Sequence, residues 1–348
     1  MRIQVITDAW RPQTNGVVRT LERLMEEGWK AGHEMEIVAP RPDRSLPCPT
    51  YPEIRLAMDP LRRVQKALDQ FRPDAIHIAT EGPLGLAARY LSRRRGFRFT
   101  TSYHTRFPEY LSARLPVPLR WGYAYMRWFH RASAGVMVAT PSLEQELSAA
   151  GFERLCGWTR GVDTDLFRPD LPKVLDGLPR PLFMYVGRVA VEKNIAAFLA
   201  LDLPGSKVVV GDGPQLTELQ GQFPDAVFTG AQYGQDLANH YASADCFVFP
   251  SRTDTFGLVL LEAMVAPIPV ISTDSGGAPE VLGREGRFFS VGDVDTLAEQ
   301  LLQVSLQSRE SRETMARTLL ERLHTLFSDE AARKVFEQVL VSWDSELG

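Results

Sequence analysis

The chain has 348 residues, 44% of them hydrophobic and 24% charged, with a formal net charge of -4 at neutral pH. This is apolar material for two α/β cores and argues against a disordered chain. No apolar run is long enough to cross a bilayer.

The net charge hides an asymmetry. Residues 1–170 carry 25 Lys and Arg against 19 Asp and Glu, while residues 171–348 carry 14 against 24. A basic first half joined to an acidic second half points any anionic surface at the first half alone. No zinc finger, RNP-type aromatic motif or basic heptad helix is present, so nucleic acid is not an expected partner. Cys48, Cys156 and Cys246 are odd in number and lack metal-ligand spacing. They read as free thiols of a reducing compartment. Met1 runs straight into a strand pattern with no basic and apolar leader, so the expected location is the cytoplasm.

In chain order, short apolar strands alternate with helical stretches. Ile3-Val5-Ile6 precedes a helix through Val17, Leu21 and Leu24; then come Glu36–Val38, Ala75–Ile78, Phe97–Thr101 and Gly135–Val138. Alternation of this kind predicts a parallel sheet with helices on both faces. The Pro-rich stretch from Arg41 to Pro60 reads as a long irregular connection. Residues 161–172 read as an interdomain crossing, which divides the chain into an N-terminal domain, 1–168, and a C-terminal domain, 169–329, with a helix at about 330–348 returning to the first. After the crossing the pattern restarts with strands at Leu182–Val186, Lys207–Val210, Val227–Thr229, Cys246–Phe249 and Pro269–Ile271. Each ends in Gly, Pro, Ser or Thr, and ligands of open α/β sheets sit at such carboxyl ends.

Five strand-end segments carry candidate chemistry. In Ser251–Met264 a polar loop opens an apolar helix, whose first N–H groups and positive pole suit phosphate or sugar oxygens. Gly257 there permits close backbone approach. Asp254 and Glu262 stand eight apart and can each grip a hydroxyl pair; an N-cap and a surface ion pair would explain them equally well. In Val186–Asn194, Arg188 and Lys193 flank a turn after the strand-end Gly187 and can converge on one diphosphate. Gly16 opens the first helix after Asn15, with no G-x-G-x-x-G fingerprint. His104 lies in the polar-aromatic loop Ser102–Tyr110, as a sugar contact or as an ordinary structural histidine. Asp274–Glu280 reads as a tight turn. Asp163-Thr164-Asp165 and Asp293-Val294-Asp295 spell D-x-D, but their positions suit turns and caps better than a metal.

Together these segments resemble the retaining glycosyltransferases of family four, from Gly16 to the Gly-Gly-Ala-Pro-Glu turn. The resemblance implies the α/β GT-B fold, two Rossmann-like domains facing across a cleft, and a nucleotide-sugar donor with no metal or other cofactor. It implies that Glu262 holds the ribose and that Asp254 faces the donor sugar. The backbone of Phe256, Gly257 and Leu258 would help, Arg188 and Lys193 would hold the diphosphate, Gly16 would approach it, and His104 would lie beside the transferred sugar. Asp254 stands where most of the family has Glu, at the first position of a Glu-x7-Glu motif. The Thr-Asp-Thr-Phe-Gly form resembles a branch with GDP-mannose-dependent mannosyltransferases and diacylglycerol glycosyltransferases. The expected acceptor is accordingly a membrane lipid such as diacylglycerol, with a soluble or polyprenyl-linked glycan as the alternative for a mannosyltransferase. A nucleotide-sugar epimerase and a sugar-binding receptor are remoter readings.

The stretch Leu119–Arg131 sets Trp121, Tyr125, Trp128 and Phe129 on one helical face and Arg120, Arg127 and Arg131 on another. Such a helix either lies on an anionic membrane surface, here the inner face of the cytoplasmic membrane, or packs its aromatics inward and solvates its arginines.

Overall fold

The computed structural model describes residues 1–341 except 12, 14, 49, 50, 115, 116, 169, 253, 267 and 328. Thr253 of the loop before Asp254, and residues 342–348 of the expected closing helix, lie outside the described residues. The chain packs as two units. The first is Met1–Gly161 together with the chain from Asp329 onward, and the second is Val162–Ser328. The crossing segment joins the second unit, where Phe167 meets the Tyr241 ring edge-on at 5.7 Å.

The first unit holds strands β1 (Arg2–Ile6), β2 (Glu34–Val38), β3 (Ser45–Cys48), β4 (Tyr51–Ala57), β5 (Ala75–Ile78), β6 (Thr100–Ser102), β7 (Gly135–Val138) and β8 (Leu155–Gly157). Six of them form a parallel sheet in the order β2-β1-β5-β6-β7-β8. Ile3 and Val5 are buried beneath the helix Gly16–Lys30, whose Val17, Leu21 and Leu24 line the same core, while Ile6 belongs to the core with Val38, Ile76 and Ile78. The expected irregular connection at 41–60 is instead partly an antiparallel ribbon of β3 and β4. The Arg55 guanidinium pins it, donating to the carbonyl of Ser45 at 2.8 Å and of Pro42 at 3.3 Å. Its prolines are tolerated because a two-stranded ribbon has free edges.

At the end of β1, Asp8 caps a helix 75 residues away. The helix Pro83–Arg95 has no side-chain cap from its own Gly82. The Asp8 carboxylate accepts from the N–H of Leu84 at 2.9 Å, from that of Gly85 at 3.3 Å and from the Thr80 hydroxyl at 3.0 Å. Burial still outweighs these bonds and pushes Asp8 up to about 6. A carboxyl raised above its ordinary value stabilises the fold below about pH 4, and that contribution is lost as pH rises through about 6. Two pH units correspond to about 3 kcal/mol. Denaturant melts of the wild type and Asp8→Asn, whose amide does not titrate, should therefore diverge by that order between pH 4 and 6.5. A difference independent of pH would contradict this account of Asp8.

The second unit holds β9 (Leu182–Val186), β10 (Ser206–Val210), β11 (Val227–Gly230), β12 (Cys246–Phe249), β13 (Val270–Thr273) and β14 (Arg287–Phe289). Their order is β11-β10-β9-β12-β13-β14, all parallel. Every residue of β9, β12 and β13 is buried, as in a sheet covered on both faces. Strand order reverses between β9 and β12, which makes the loops after these two strands the expected ligand site of this unit.

Candidate functional site

Those two loops carry most of the expected donor residues. After β9 the chain runs through Gly187 and Arg188 into a 3-10 turn, Val191–Lys193, and then the short helix Ile195–Leu199. After β12 it runs through Ser251 and Asp254 to the helix Leu258–Val265. The loops are tied together: Arg252 N–H donates to the Glu192 carbonyl at 3.1 Å, and the Arg252 guanidinium to Asn194 Oδ1 at 2.7 Å. Between them Lys193 Nζ lies 2.6 Å from both carboxylate oxygens of Asp254. The two side chains expected to hold the diphosphate and the sugar thus meet as an ion pair. Arg188 lies half-buried next to Gly187, and its carbonyl accepts from the Tyr185 hydroxyl at 2.9 Å.

Gly257 has φ 85°, the left-handed region, and among the described residues no side chain caps the helix that begins after it. The Leu260 N–H bonds the Gly257 carbonyl at 2.9 Å, and the N–H groups before it lie at the positive pole of the helix dipole, where an anion is favoured. The loop rests on the turn after β13. A Cβ on Gly276 (φ 63°) would fall 2.1 Å from the Asp254 carbonyl oxygen, and the Gly277 N–H donates to that oxygen at 3.0 Å. This turn, read from sequence as plain turn chemistry, seats the Asp254 loop. Glu262 sits just over one turn into the helix and is only 5% exposed, so it is not a surface ion-pair partner. The Tyr241 hydroxyl donates to its Oε2 at 2.8 Å.

Both D-x-D sequences are used locally. Asp163 Oδ1 accepts from the N–H of Asp165 and of Leu166, and Asp293 caps the helix Val294–Leu306 through Thr296. Among the described residues no group of three His, Cys, Asp or Glu side chains is placed to hold a metal ion.

In the first unit, Gly16 opens the helix Gly16–Lys30 beside Asn15, whose Oδ1 accepts from the N–H of Val17 at 3.0 Å and Val18 at 3.1 Å. His104 follows β6. Its Nδ1 lies 3.2 Å from the Arg160 guanidinium, and its ring meets Trp158 edge-on at 6.0 Å. Burial, then the Arg160 charge, then His77 and His130 hold His104 well below the usual histidine range. His77 and His130, passed over in the sequence, are buried nearby. His77 bonds Thr100 at 2.7 Å and Ser102 at 2.8 Å, and His130 bonds Thr101 at 2.8 Å.

The helix Leu119–His130 corrects one expectation. Phe129 faces the core and is fully buried, as is Met126. Trp121 and Trp128 point outward, 62% and 50% exposed, with Tyr125 between them partly covered. Trp128 also covers Arg89, whose guanidinium lies 3.9 Å from the indole centre. Arg120 and Arg131 are exposed, whereas Arg127 bonds the Ala150 carbonyl at 3.0 Å.

A family model described as Glycosyltransferase Family 4 matches residues 14–166, and one described as Glycosyl transferases group 1 matches residues 180–306. A GDP-mannose-dependent alpha-mannosyltransferase of Mycobacterium tuberculosis is 32% identical over 85% of this chain and 85% of its own length. The chain belongs to glycosyltransferase family 4. An alpha-monoglucosyldiacylglycerol synthase of Streptococcus pneumoniae is 25% identical to this glycosyltransferase over 97% of the chain and 85% of that protein. The fold is GT-B: a sucrose-phosphate synthase from Thermosynechococcus elongatus superposes with a TM-score of 0.80 at 19% identity, covering 99% of each chain. The motifs flagged the strand-end residues of this glycosyltransferase and the turn at Gly276, but the partners Tyr241 and Arg160 had no local signal.

Proposed function

We propose that this glycosyltransferase moves a hexosyl group from a nucleoside diphosphate hexose to an acceptor hydroxyl with retention of configuration and without a metal. The observation that carries the reading is the Lys193–Asp254 pair at the β9/β12 strand-order reversal, beside an uncapped helix start and the buried Glu262. Arg188, Lys193 and the N–H groups at Phe256, Gly257 and Leu258 take the diphosphate; Glu262 takes the ribose; Asp254 takes hydroxyls of the sugar. The bond from the anomeric carbon to the phosphate oxygen breaks as the bond to the acceptor oxygen forms on the same face. The acceptor proton passes to the departing phosphate oxygen. Arg188 and Lys193 stabilise the charge growing there, which is the large electrostatic contribution in such transfers. An Asp254 carboxylate engaged by Lys193 is a poor nucleophile, which favours this single-step route over a covalent intermediate.

The first unit, with Gly16 and His104, takes the acceptor side. The exposed Trp121 and Trp128 with Arg120 and Arg131 suit a membrane interface, and the likeness to a diacylglycerol glycosyltransferase favours a lipid acceptor at the inner face of the cytoplasmic membrane. No described helix is long and apolar enough to cross a membrane, so attachment would be peripheral. The likeness to a GDP-mannose-dependent mannosyltransferase supports a second reading, mannosyl transfer to a glycan.

One experiment separates these readings. UDP- and GDP-hexoses are offered with diacylglycerol vesicles or soluble glycans, with and without a chelator, and nucleoside diphosphate release is measured. Vesicle flotation accompanies it. Chelator-resistant release dependent on diacylglycerol, with binding to anionic vesicles that weakens about five-fold for each of Arg120→Ala and Arg131→Ala, is the expected result. Release only with GDP-mannose and a glycan, without flotation, would favour the second reading; release abolished by the chelator would overturn the metal-free route.

A further inference from the structure

The side chains packed behind His104 assign its protonation, an inference that rests on His104 facing the transferred sugar. Arg160 follows β8 and is 4% exposed. Its guanidinium lies 4.1 Å from the centre of the Trp158 ring. One of its nitrogens donates to the Trp158 carbonyl at 2.9 Å, and the other faces His104 Nδ1 at 3.2 Å. The platform beneath is itself fixed: the buried Trp158 donates from Nε1 to the Ala332 carbonyl at 3.0 Å and meets the rings of His77 and Phe336. The guanidinium therefore cannot swing away from the imidazole.

A guanidinium has donors and no acceptor. The ring nitrogen it addresses must present a lone pair, and the remaining ring proton of a neutral histidine then sits on the other nitrogen. We propose that Arg160 is a positioning residue that locks His104 as the neutral Nε2–H tautomer, so that this side chain works as a hydrogen-bond donor and never as a proton acceptor. Burial pulls Arg160 down to about 9, which leaves it charged at neutral pH. The other groups facing His104 are His77, which burial and then Arg160 lower to about 3, and His130, bonded to Thr101.

The chemistry suits glycosyl transfer. Positive charge builds on the sugar ring in an oxocarbenium-like transition state. A neutral N–H can hold a sugar hydroxyl without repelling that charge, as an imidazolium would.

Long-range proton–nitrogen spectra of the full chain labelled at histidine nitrogen test the lock without any substrate. The His104 signals are identified by their loss in His104→Asn. The expected spectrum has a proton on Nε2, a bare Nδ1, and no titration between about pH 5 and 8, the range in which an ordinary histidine titrates. Arg160→Gln, whose amide can still donate, should keep this tautomer. Arg160→Leu should release the Nδ1–H form and lower kcat about 10–100-fold at unchanged donor KM, the range for losing a group that orients a working histidine. A proton on Nδ1 in the wild type would overturn the proposal, and so would an unchanged spectrum in an Arg160→Leu protein that still melts cooperatively. Normal turnover by His104→Asn would instead count against the sugar-facing role, while the wild-type spectrum still decides the tautomer.

Discussion

Lys193→Ala should lower kcat/KM for sugar transfer by about 2–4 kcal/mol of transition-state stabilisation, a loss of roughly 30- to 1,000-fold. Two effects act in the same direction. The variant removes a cation from the loop proposed to receive the departing diphosphate. It also strips the counter-ion from Asp254, whose carboxylate lies 2.6 Å from Nζ at both oxygens. An unpaired carboxylate left there repels the donor phosphates, so donor KM should rise as kcat falls. The pair is also coupled. Lys193→Ala combined with Asp254→Ala should cost less than the sum of the two single losses, because each single variant strands a charge that the double variant removes. Steady-state kinetics of the three variants measure this directly, and additive losses would show that the two side chains act apart.

Glu262→Ala should act on binding instead of turnover. The residue is 5% exposed, and its carboxylate accepts from the Tyr241 hydroxyl at 2.8 Å. Hydrogen bonds to a charged group contribute about 1.5–3 kcal/mol each. Losing one such bond to the ribose should therefore raise donor KM about 10- to 150-fold with little change in kcat, since ribose contacts persist unchanged through the reaction. Tyr241→Phe leaves the carboxylate in place but loosens its aim, and should cost about 1 kcal/mol. A Glu262→Ala enzyme with normal donor KM would remove Glu262 from the donor site.

The alternation of strands and helices was legible along the chain because parallel strands buried on both faces leave continuous apolar runs such as Leu182–Val186 and Cys246–Phe249. Strand-end motifs marked Arg188, Lys193, Asp254, Gly257 and Glu262 for the same reason, since each follows such a run. What the sequence could not display were partnerships made by strand order. Lys193 and Asp254 are 61 residues apart and meet because β9 and β12 are neighbours in the sheet. Asp8 reaches the N–H of Leu84 because β1 lies beside β5. Arg160 and His104 are brought together from the ends of different strands. The β3–β4 ribbon was missed because its prolines read as breakers, and the inward turn of Phe129 because an aromatic stripe has the same period whichever face is buried.

Donor binding depends on the loops after β9 and β12. A crystal structure with an intact UDP- or GDP-hexose bound tests this most directly. The diphosphate should lie within hydrogen-bond reach of Arg188 and Lys193, with the ribose on the Glu262 carboxylate and the sugar hydroxyls at Asp254. A nucleotide seated elsewhere, with the Lys193–Asp254 pair and Glu262 untouched, would contradict it.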